Sequence, residues 1–237
     1  MGGSQGVSSL GALLIHSTAM YHRDVASSMR IGLGGESISV EPILVFSGAY
    51  LLGSVPFGIL VSHLLRAPDP RKGGSGNIGA TNVMRTSGLG GALLTLAGDF
   101  LKGWAPTYFA QCLGFGTYMV GAVGLSSFLG HLFPLYLGFR GGKGVATGAG
   151  VMAAVAPGLL VGCAILFLVL VGLTRYVSLG SIGAALGAPA SALIFHEELA
   201  TFLLSLAMGS FVVLRHRENI QRLLKGKEPK LSLPHSR

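Results

Sequence analysis

The residues with the clearest chemical potential lie in one glycine-rich stretch, from Gly73 to Arg85. It reads GGSGNIGATNVMR, so glycines alternate with hydroxyl and amide side chains. Glycine lets successive backbone N–H groups turn inward, where they can bind an anion. Ser75, Thr81 and the two asparagines can add hydrogen bonds, and Arg85 can add a bidentate contact to phosphate. We interpret the stretch as a phosphate-binding loop. A flexible linker is the alternative, although linkers rarely carry Asn, Thr and Arg so densely.

Three further segments combine positive charge with glycine or hydrogen-bonding side chains: Phe139–Gly144, Arg175–Ser181 and Arg215–Arg222. The first reads FRGGKG, and the last places His216 and Asn219 three residues apart, on one face of a helix. Any one segment alone could be an ordinary basic loop beside a membrane. Basic membrane loops need Lys and Arg but not Gly-Gly-Lys-Gly, and this surplus indicates a site for more than one phosphate.

Two familiar nucleotide-binding motifs are excluded by their context. Gly74–Gly79 matches G-x-G-x-x-G, with Asp99 about twenty residues further on, but the motif needs a strand before it and apolar helices flank it here. Gly141–Gly144 resembles half of a phosphate-binding P-loop, but the upstream glycine is absent and Gly144 replaces Ser or Thr. The sequence therefore predicts neither a dinucleotide nor a nucleoside triphosphate site.

The composition is typical of a membrane protein. Of 237 residues, 50% are hydrophobic and 11% charged, against about a quarter charged in soluble domains. The mean hydropathy is +0.64. The net charge of +8 lies between apolar runs and in the tail, which indicates cytoplasmic loops rather than a nucleic-acid partner. Cys112 and Cys163 lie in apolar surroundings without metal-ligand spacing, so we expect no metal and no cofactor.

The apolar runs predict an all-α, polytopic integral membrane protein. They cover about residues 43–65, 91–112, 117–137, 145–173, 179–195 and 200–214. Pro56 should kink the first run, and the fourth exceeds the roughly 20 residues of one span and is interrupted at Pro157 and Gly158. If the fourth run crosses twice, every basic loop falls on one side. This predicts seven helices, with the N-terminus outside and the C-terminus cytoplasmic. Five or six spans is the alternative.

The domain organisation follows from the same pattern. Residues 1–41 are predicted to be a poorly ordered leader, or the product of a start codon placed too early. Residues 42–228 form one membrane domain, and residues 229–237 form a basic tail. Within the spans, Asp99 and Lys102 lie one turn apart and are expected to form a buried structural pair, while His131 is expected to make hydrogen bonds at a helix end.

These motifs together resemble the bacterial acyl-phosphate:glycerol-3-phosphate acyltransferases, the PlsY family. The similarity extends from about residue 43 to about residue 228. Departures are small: Arg140 stands where Lys is usual, and Gly180 where Ala is common. The matching pieces are GSVPFG at 53–58, GSGNIGATNVMR at 74–85, DFLKG at 99–103, GHLFP at 130–134, FRGGKGVAT at 139–147, RYVSLGS at 175–181 and RHRENI at 215–220.

The resemblance implies a seven-helix enzyme of the bacterial inner membrane, with its active site on the cytoplasmic face. It would transfer a fatty acyl group from acyl phosphate to the primary hydroxyl of glycerol 3-phosphate, the first acylation of phospholipid synthesis. The products would be lysophosphatidic acid and phosphate. The implied catalytic residues are Ser75, Arg85, Lys143, His216 and Asn219. The implied phosphate-binding residues are Gly74, Gly76, Asn77, Gly79, Thr81, Asn82, Gly142 and Ser181.

The implied chemistry is coherent with the residues. Both substrates are polyanionic, so Lys, Arg and N–H dipoles must offset their repulsion. The chain lacks the His-x-x-x-x-Asp pair of the other acyltransferase class. Asp69 and Glu218 are weak candidates for a general base, and we favour proton transfer to a substrate phosphate oxygen. A transporter for a phosphorylated solute and a non-catalytic headgroup-binding protein are the alternatives, and detergent turnover distinguishes them from an enzyme.

Overall fold

A computed structural model describes residues 30–33, 36–39 and 41–231 and divides the chain into two units, Met1–Val45 and Phe46–Arg237. In the first unit, β1 (Arg30–Leu33) pairs antiparallel with β2 (Glu36–Ser39). Most of the predicted leader lies outside the described residues, as does the predicted tail from residue 232.

The described part of the chain from residue 41 onward is helical, which confirms the all-α membrane fold. Two short 3-10 helices, Pro70–Lys72 and Leu135–Leu137, lie between the α-helices. The α-helices are α1 (Glu41–Gly53), α2 (Phe57–Leu64), α3 (Ala80–Cys112), α4 (Thr117–Leu132), α5 (Val145–Val155), α6 (Pro157–Thr174), α7 (Val177–Ile194), α8 (Leu199–Arg215) and α9 (Arg217–Leu224).

Within the described residues, three helical segments can cross a membrane by length and composition: Thr117–Leu137, α6 and α7. Two bent pairs raise the number to five if each is one span: α1 with α2, bent by 47°, and α8 with α9, bent by 57°. The first bend confirms the kink predicted at Pro56, whose ring cannot continue a helix interior. Helix α5 is apolar but short. The count of seven crossings therefore remains a prediction.

The helix break predicted within residues 145–173 is confirmed at Ala156, which has a non-helical backbone (φ −146°, ψ 75°). Pro157 follows as the first residue of α6, where its missing N–H costs no hydrogen bond. Two glycines let α5 approach α3 closely: a Cβ at Gly103 would overlap the Thr147 backbone, and one at Gly150 would overlap the Phe100 backbone.

One boundary differs from the prediction. The sequence predicts a phosphate-binding loop up to Arg85 and a helix only from about residue 91, but α3 begins at Ala80 and continues through this region. Gly88, with φ 77° and ψ −175°, is the point at which this long helix kinks. The second half of the glycine-rich stretch is therefore the first turns of a helix, whose N-terminal N–H groups favour anions. Thr81 and Arg85 lie on these turns.

A buried charged cluster joins three elements within the second unit. Lys102 Nζ lies 2.7 Å from Asp99 Oδ1 and donates a 2.8 Å hydrogen bond to the carbonyl of Val55. His131 Nδ1 on α4 lies 3.4 Å from the same carboxylate oxygen. All three ionisable side chains are almost fully buried. The cluster ties α3 to α4 and to the kink before α2, and the positive and negative charges offset each other.

Candidate active site

The glycine-rich loop is held together by one buried amide, that of Asn82. Its Oδ1 accepts from the backbone N–H of Ser75 at 2.8 Å. Its Nδ2 donates to the carbonyl oxygens of Pro70, Gly73 and Asn77 at 2.7, 3.1 and 2.8 Å. Asn82 was expected to bind phosphate, but its amide is engaged inside the loop. Asn82 thus organises the loop, and its binding of phosphate stays a prediction.

Two glycines of the loop adopt the left-handed region, Gly74 with φ 59° and Gly76 with φ 69°. A Cβ at Gly74 would overlap Asn82 Oδ1, so only glycine allows this close approach. The backbone N–H of Gly79 donates to Asn77 Oδ1 at 2.9 Å. The Gly79 N–H is thus occupied within the loop and differs from the free phosphate donor that was expected.

The second glycine-rich loop carries Lys143, and hydrogen bonds with two other parts of the chain hold the backbone just before it. The N–H of Gly142 donates to the carbonyl of His131 at 3.1 Å. Arg215 donates to the carbonyls of Gly141 and Gly142, at 2.6 and 3.0 Å. A Cβ at Gly142 would overlap the His131 ring. Gly142, expected to bind phosphate, therefore uses its N–H in the fold and packs on an imidazole, which places it as a support for Lys143.

A chain of polar contacts connects Lys143 to the C-terminal segment. Lys143 Nζ donates to Asn219 Oδ1, and Asn219 Nδ2 donates to Glu228 Oε1 at 2.6 Å. Arg222 Nε donates to Glu228 Oε2 at 2.7 Å. The carboxylate can only accept and the ammonium can only donate, so the orientation of the Asn219 amide follows from its two neighbours. Although burial opposes it, the hydrogen bonds from Asn219 and Arg222 lower the pKa of Glu228.

The surroundings also lower the pKa values of Lys143 and His216. Burial lowers the pKa of Lys143 from its ordinary 10.5 to about 8. Burial and then the charge of Lys143 lower the pKa of His216 to about 4. His216 Nδ1 lies 2.8 Å from the carbonyl of Val212, so Nδ1 carries the proton. At neutral pH the imidazole is uncharged, and its Nε2 is a hydrogen-bond acceptor.

These groups line one end of a cavity of about 740 Å³ in the second unit. Gly76 and Gly142 of the expected site residues do not line it, whereas the other eleven do. The expected residues on the cavity wall are Gly74, Ser75, Asn77, Gly79, Thr81, Asn82, Arg85, Lys143, Ser181, His216 and Asn219. Leu96 and Asp99 on α3 and Phe128 and His131 on α4 also line the cavity. Most of the remaining wall is apolar and comes from α5 to α8: Met152, Leu159, Leu160, Phe167, Ala184, Ala185, Ala188, Met208 and Val212.

A second, smaller cavity of about 360 Å³ shares Ser75, Asn77, Lys143 and Arg222 with the first. Its remaining wall includes Phe133, Phe211, Leu214, Arg215, Arg217 and Glu218. Lys143 therefore faces two adjoining spaces, one continuous with an apolar channel and one rich in charge. This arrangement can accommodate two anionic groups, one on each side of the Lys143 ammonium.

Sequence reasoning missed Glu228 and Arg222 as members of this site. Glu228 was included at the end of the membrane domain without a role, and Arg222 was read as one of several cations on the last basic stretch. A signal was available: Glu228 is an isolated acid between Lys227 and Lys230, in a segment that otherwise carries positive charge. Such a residue suggests a specific ionic partner.

Comparison with known proteins gives consistent results. The family model described as Glycerol-3-phosphate acyltransferase matches residues 43–226. The chain is 46% identical over 183 residues to a protein of Dechloromonas aromatica named glycerol-3-phosphate acyltransferase, covering 77% of this chain and 92% of that one.

Two solved structures share the fold. Both are crystal structures of PlsY (YgiH), described as an integral membrane glycerol 3-phosphate acyltransferase. The glycerol 3-phosphate form has a TM-score of 0.78 and 39% identity, and the lysophosphatidic acid form has a TM-score of 0.74 and 38% identity. Each match covers 81% of this chain and 96% of the solved chain.

Proposed function

The chain belongs to the glycerol-3-phosphate acyltransferase family, and from this premise we propose that it transfers a fatty acyl group from an acyl phosphate to the primary hydroxyl of glycerol 3-phosphate. The products are lysophosphatidic acid and inorganic phosphate. The reaction takes place at the cytoplasmic face of the bacterial inner membrane, as the first acylation of phospholipid synthesis.

The observation that carries this proposal is the cavity that is cationic at one end and apolar along the rest. The apolar part suits a fatty acyl chain, which gains free energy by leaving water. The cationic end suits the phosphate attached to that chain. The second cavity meets it at Lys143, which gives the phosphate of the acceptor a place beside the donor.

The reaction forms one bond and breaks one. The primary hydroxyl oxygen of glycerol 3-phosphate attacks the acyl carbonyl carbon, and the bond from that carbon to the phosphate oxygen breaks. Lys143 and Arg85 offset the charge of the two phosphates, and we expect Ser75, Thr81 and Ser181 to add hydrogen bonds. In the structure the Ser181 hydroxyl donates to the carbonyl of Val177 at 2.9 Å, so it must turn to reach a phosphate. An acyl phosphate is already activated, so orientation and charge stabilisation supply much of the rate.

The hydroxyl proton passes to an oxygen of a substrate phosphate. Asp69 pairs with Arg71 at 2.6 Å and does not line either cavity. Glu218 lines the second cavity, but it is exposed on α9. Glu228 is committed to Asn219 and Arg222, and the low pKa of His216 makes it a weak base. A phosphate oxygen close to the reacting hydroxyl is the better proton acceptor.

The test is a donor comparison with purified protein in detergent micelles. Acyl phosphate, acyl-CoA and acyl carrier protein are each supplied with labelled glycerol 3-phosphate, and labelled lysophosphatidic acid is measured. We expect product from acyl phosphate alone, without any sealed vesicle. Product from acyl-CoA or acyl carrier protein instead would contradict the proposed donor, and binding without turnover would leave a headgroup-binding protein as the better description.

A further inference from the structure

The apolar part of the main cavity is here called the acyl channel. The lining residues farthest from the polar end are Met152 on α5, Leu159 on α6 and Ala188 on α7. One turn beyond Ala188 lies Ala192, which is 1% exposed and belongs to the packed core but not to the cavity wall. Ala156 and Leu204, each 5% exposed, are likewise packed and outside the wall. Packed side chains therefore lie beyond these last lining residues.

Helix α7 presents different small residues to its neighbour and to the channel. Its glycines pack on α6: a Cβ at Gly183 would overlap Leu170, and one at Gly187 would crowd Leu166. Ala184 and Ala188 instead line the cavity. The glycines explain how the two helices approach each other, so helix packing alone does not account for the alanines. Their short side chains leave the channel its space.

We propose that Ala188, together with Met152, sets the length of acyl chain that the enzyme accepts. This inference rests on the proposed function, because it assumes that the donor's chain occupies the channel. A chain longer than the channel must leave its last methylenes unaccommodated. A larger residue at 188 therefore shortens the accepted chain, and a smaller residue at 152 lengthens it.

The experiment measures kcat/KM for palmitoyl phosphate and for decanoyl phosphate, each with saturating glycerol 3-phosphate. Ala188→Leu is expected to lower the palmitoyl-to-decanoyl ratio by at least about tenfold, because hydrophobic pockets discriminate by this order when a methylene no longer fits. Met152→Ala is expected to move preference towards longer chains, measured with arachidoyl against palmitoyl phosphate. Ala190→Leu is the matched control, since Ala190 is exposed on the same helix and away from the cavity.

The two variants make the outcome decisive even if one of them folds poorly. Opposite shifts in preference, with an unchanged ratio for Ala190→Leu, would support the inference. A wild-type ratio in whichever of Ala188→Leu and Met152→Ala is folded would overturn it while leaving the transferase intact. If the unmodified protein transfers neither chain, the proposed function itself fails, and the length inference falls with it.

Discussion

Lys143 and Arg85 carry the charge that the proposed reaction needs, because each lines the cavity where two phosphates would meet. We expect Lys143→Ala and Arg85→Ala each to cost about 2–4 kcal/mol of transition-state stabilisation, measured as the loss in kcat/KM. Arg140→Ala is the control, because Arg140 is exposed and outside both cavities, although it neighbours the same loop. Near-normal kcat/KM in both cavity variants would contradict the phosphate-binding role.

The pKa of Lys143 predicts how activity depends on pH. It is lowered to about 8, so the ammonium form predominates below pH 8 and is lost as the pH rises through that value. We expect kcat/KM to fall above about pH 8 in the unmodified enzyme. Lys143→Arg, whose guanidinium stays charged, should lose this break even if its activity is lower. An unchanged break in Lys143→Arg would show that another group titrates.

The choice of proton acceptor can be tested at single residues. Since we propose that a substrate phosphate oxygen takes the proton, Asp69→Ala and Glu218→Gln should keep kcat within about threefold, whereas losing a general base typically costs about 10²–10⁴-fold. Measurements at saturating substrates separate chemistry from binding. Loss of turnover with intact binding in either variant would identify that carboxylate as the base.

The sequence could predict the residue types of the site but not all their roles. Glycines, hydroxyls and cations at these spacings indicate phosphate binding, and eleven of the expected residues line one cavity. The inward orientation of Asn82 was not predictable, because an amide within a glycine-rich loop can face a ligand or its own backbone. The partnership of Glu228 with Asn219 depends on how the chain folds back after α9, which no local pattern encodes.

The segment that follows α9, as far as Leu231, is held in a fixed position beside the site. The N–H of Leu231 donates to the carbonyl of Arg175 at 2.7 Å, and the Arg175 guanidinium donates to the carbonyl of Leu231 at 3.0 Å. Lys230 lies 5.7 Å from the centre of the Tyr176 ring. These contacts hold the segment against the start of α7, so Glu228 reaches Asn219 from a fixed position.

Glu228→Ala should therefore harm both stability and activity. The Asn219 amide would lose a buried acceptor, at a cost of about 1–3 kcal/mol, and would no longer be oriented towards Lys143. Thermal unfolding in detergent and kcat/KM are the two measurements. Gln221→Ala is the matched control, because Gln221 is exposed on α9 and lines neither cavity. Wild-type unfolding temperature and activity in Glu228→Ala would contradict this role.

At the level of helices, prolines and the lengths of apolar runs predicted the helix breaks correctly. The density of glycine did not predict where α3 begins. The bend at Pro56 and the break before Pro157 were predictable, because proline cannot donate in a helix interior. The start of α3 at Ala80 was not, because a stretch rich in glycine and asparagine reads as a loop. Tertiary contacts outweigh these weak intrinsic preferences.

At the scale of the whole molecule, the directions of the helices agree with a site at one end of the bundle. Helix α4 runs opposite to α3, since Ser127 contacts Lys102 and Gly124 contacts Thr107. Helix α5 runs in the same direction as α3. Gly103 packs on Thr147 and Phe100 packs on Gly150, whereas Gln111, near the end of α3, contacts Ala154 near the end of α5. Alternating directions bring the basic connections to one end, where they meet around the cavity.

The side of the membrane on which this end lies leads to the last prediction. After replacement of Cys112 and Cys163, single cysteines are introduced as Lys72→Cys, Arg140→Cys and Glu198→Cys, at exposed positions in three connections. With a membrane-impermeant maleimide, the first two should label only after the cells are permeabilised, and the third should label in intact cells. Retained activity in each variant confirms the native topology. If Lys72→Cys and Arg140→Cys label from opposite sides, the two glycine-rich loops cannot form one phosphate site, and the proposed reaction has no place to occur.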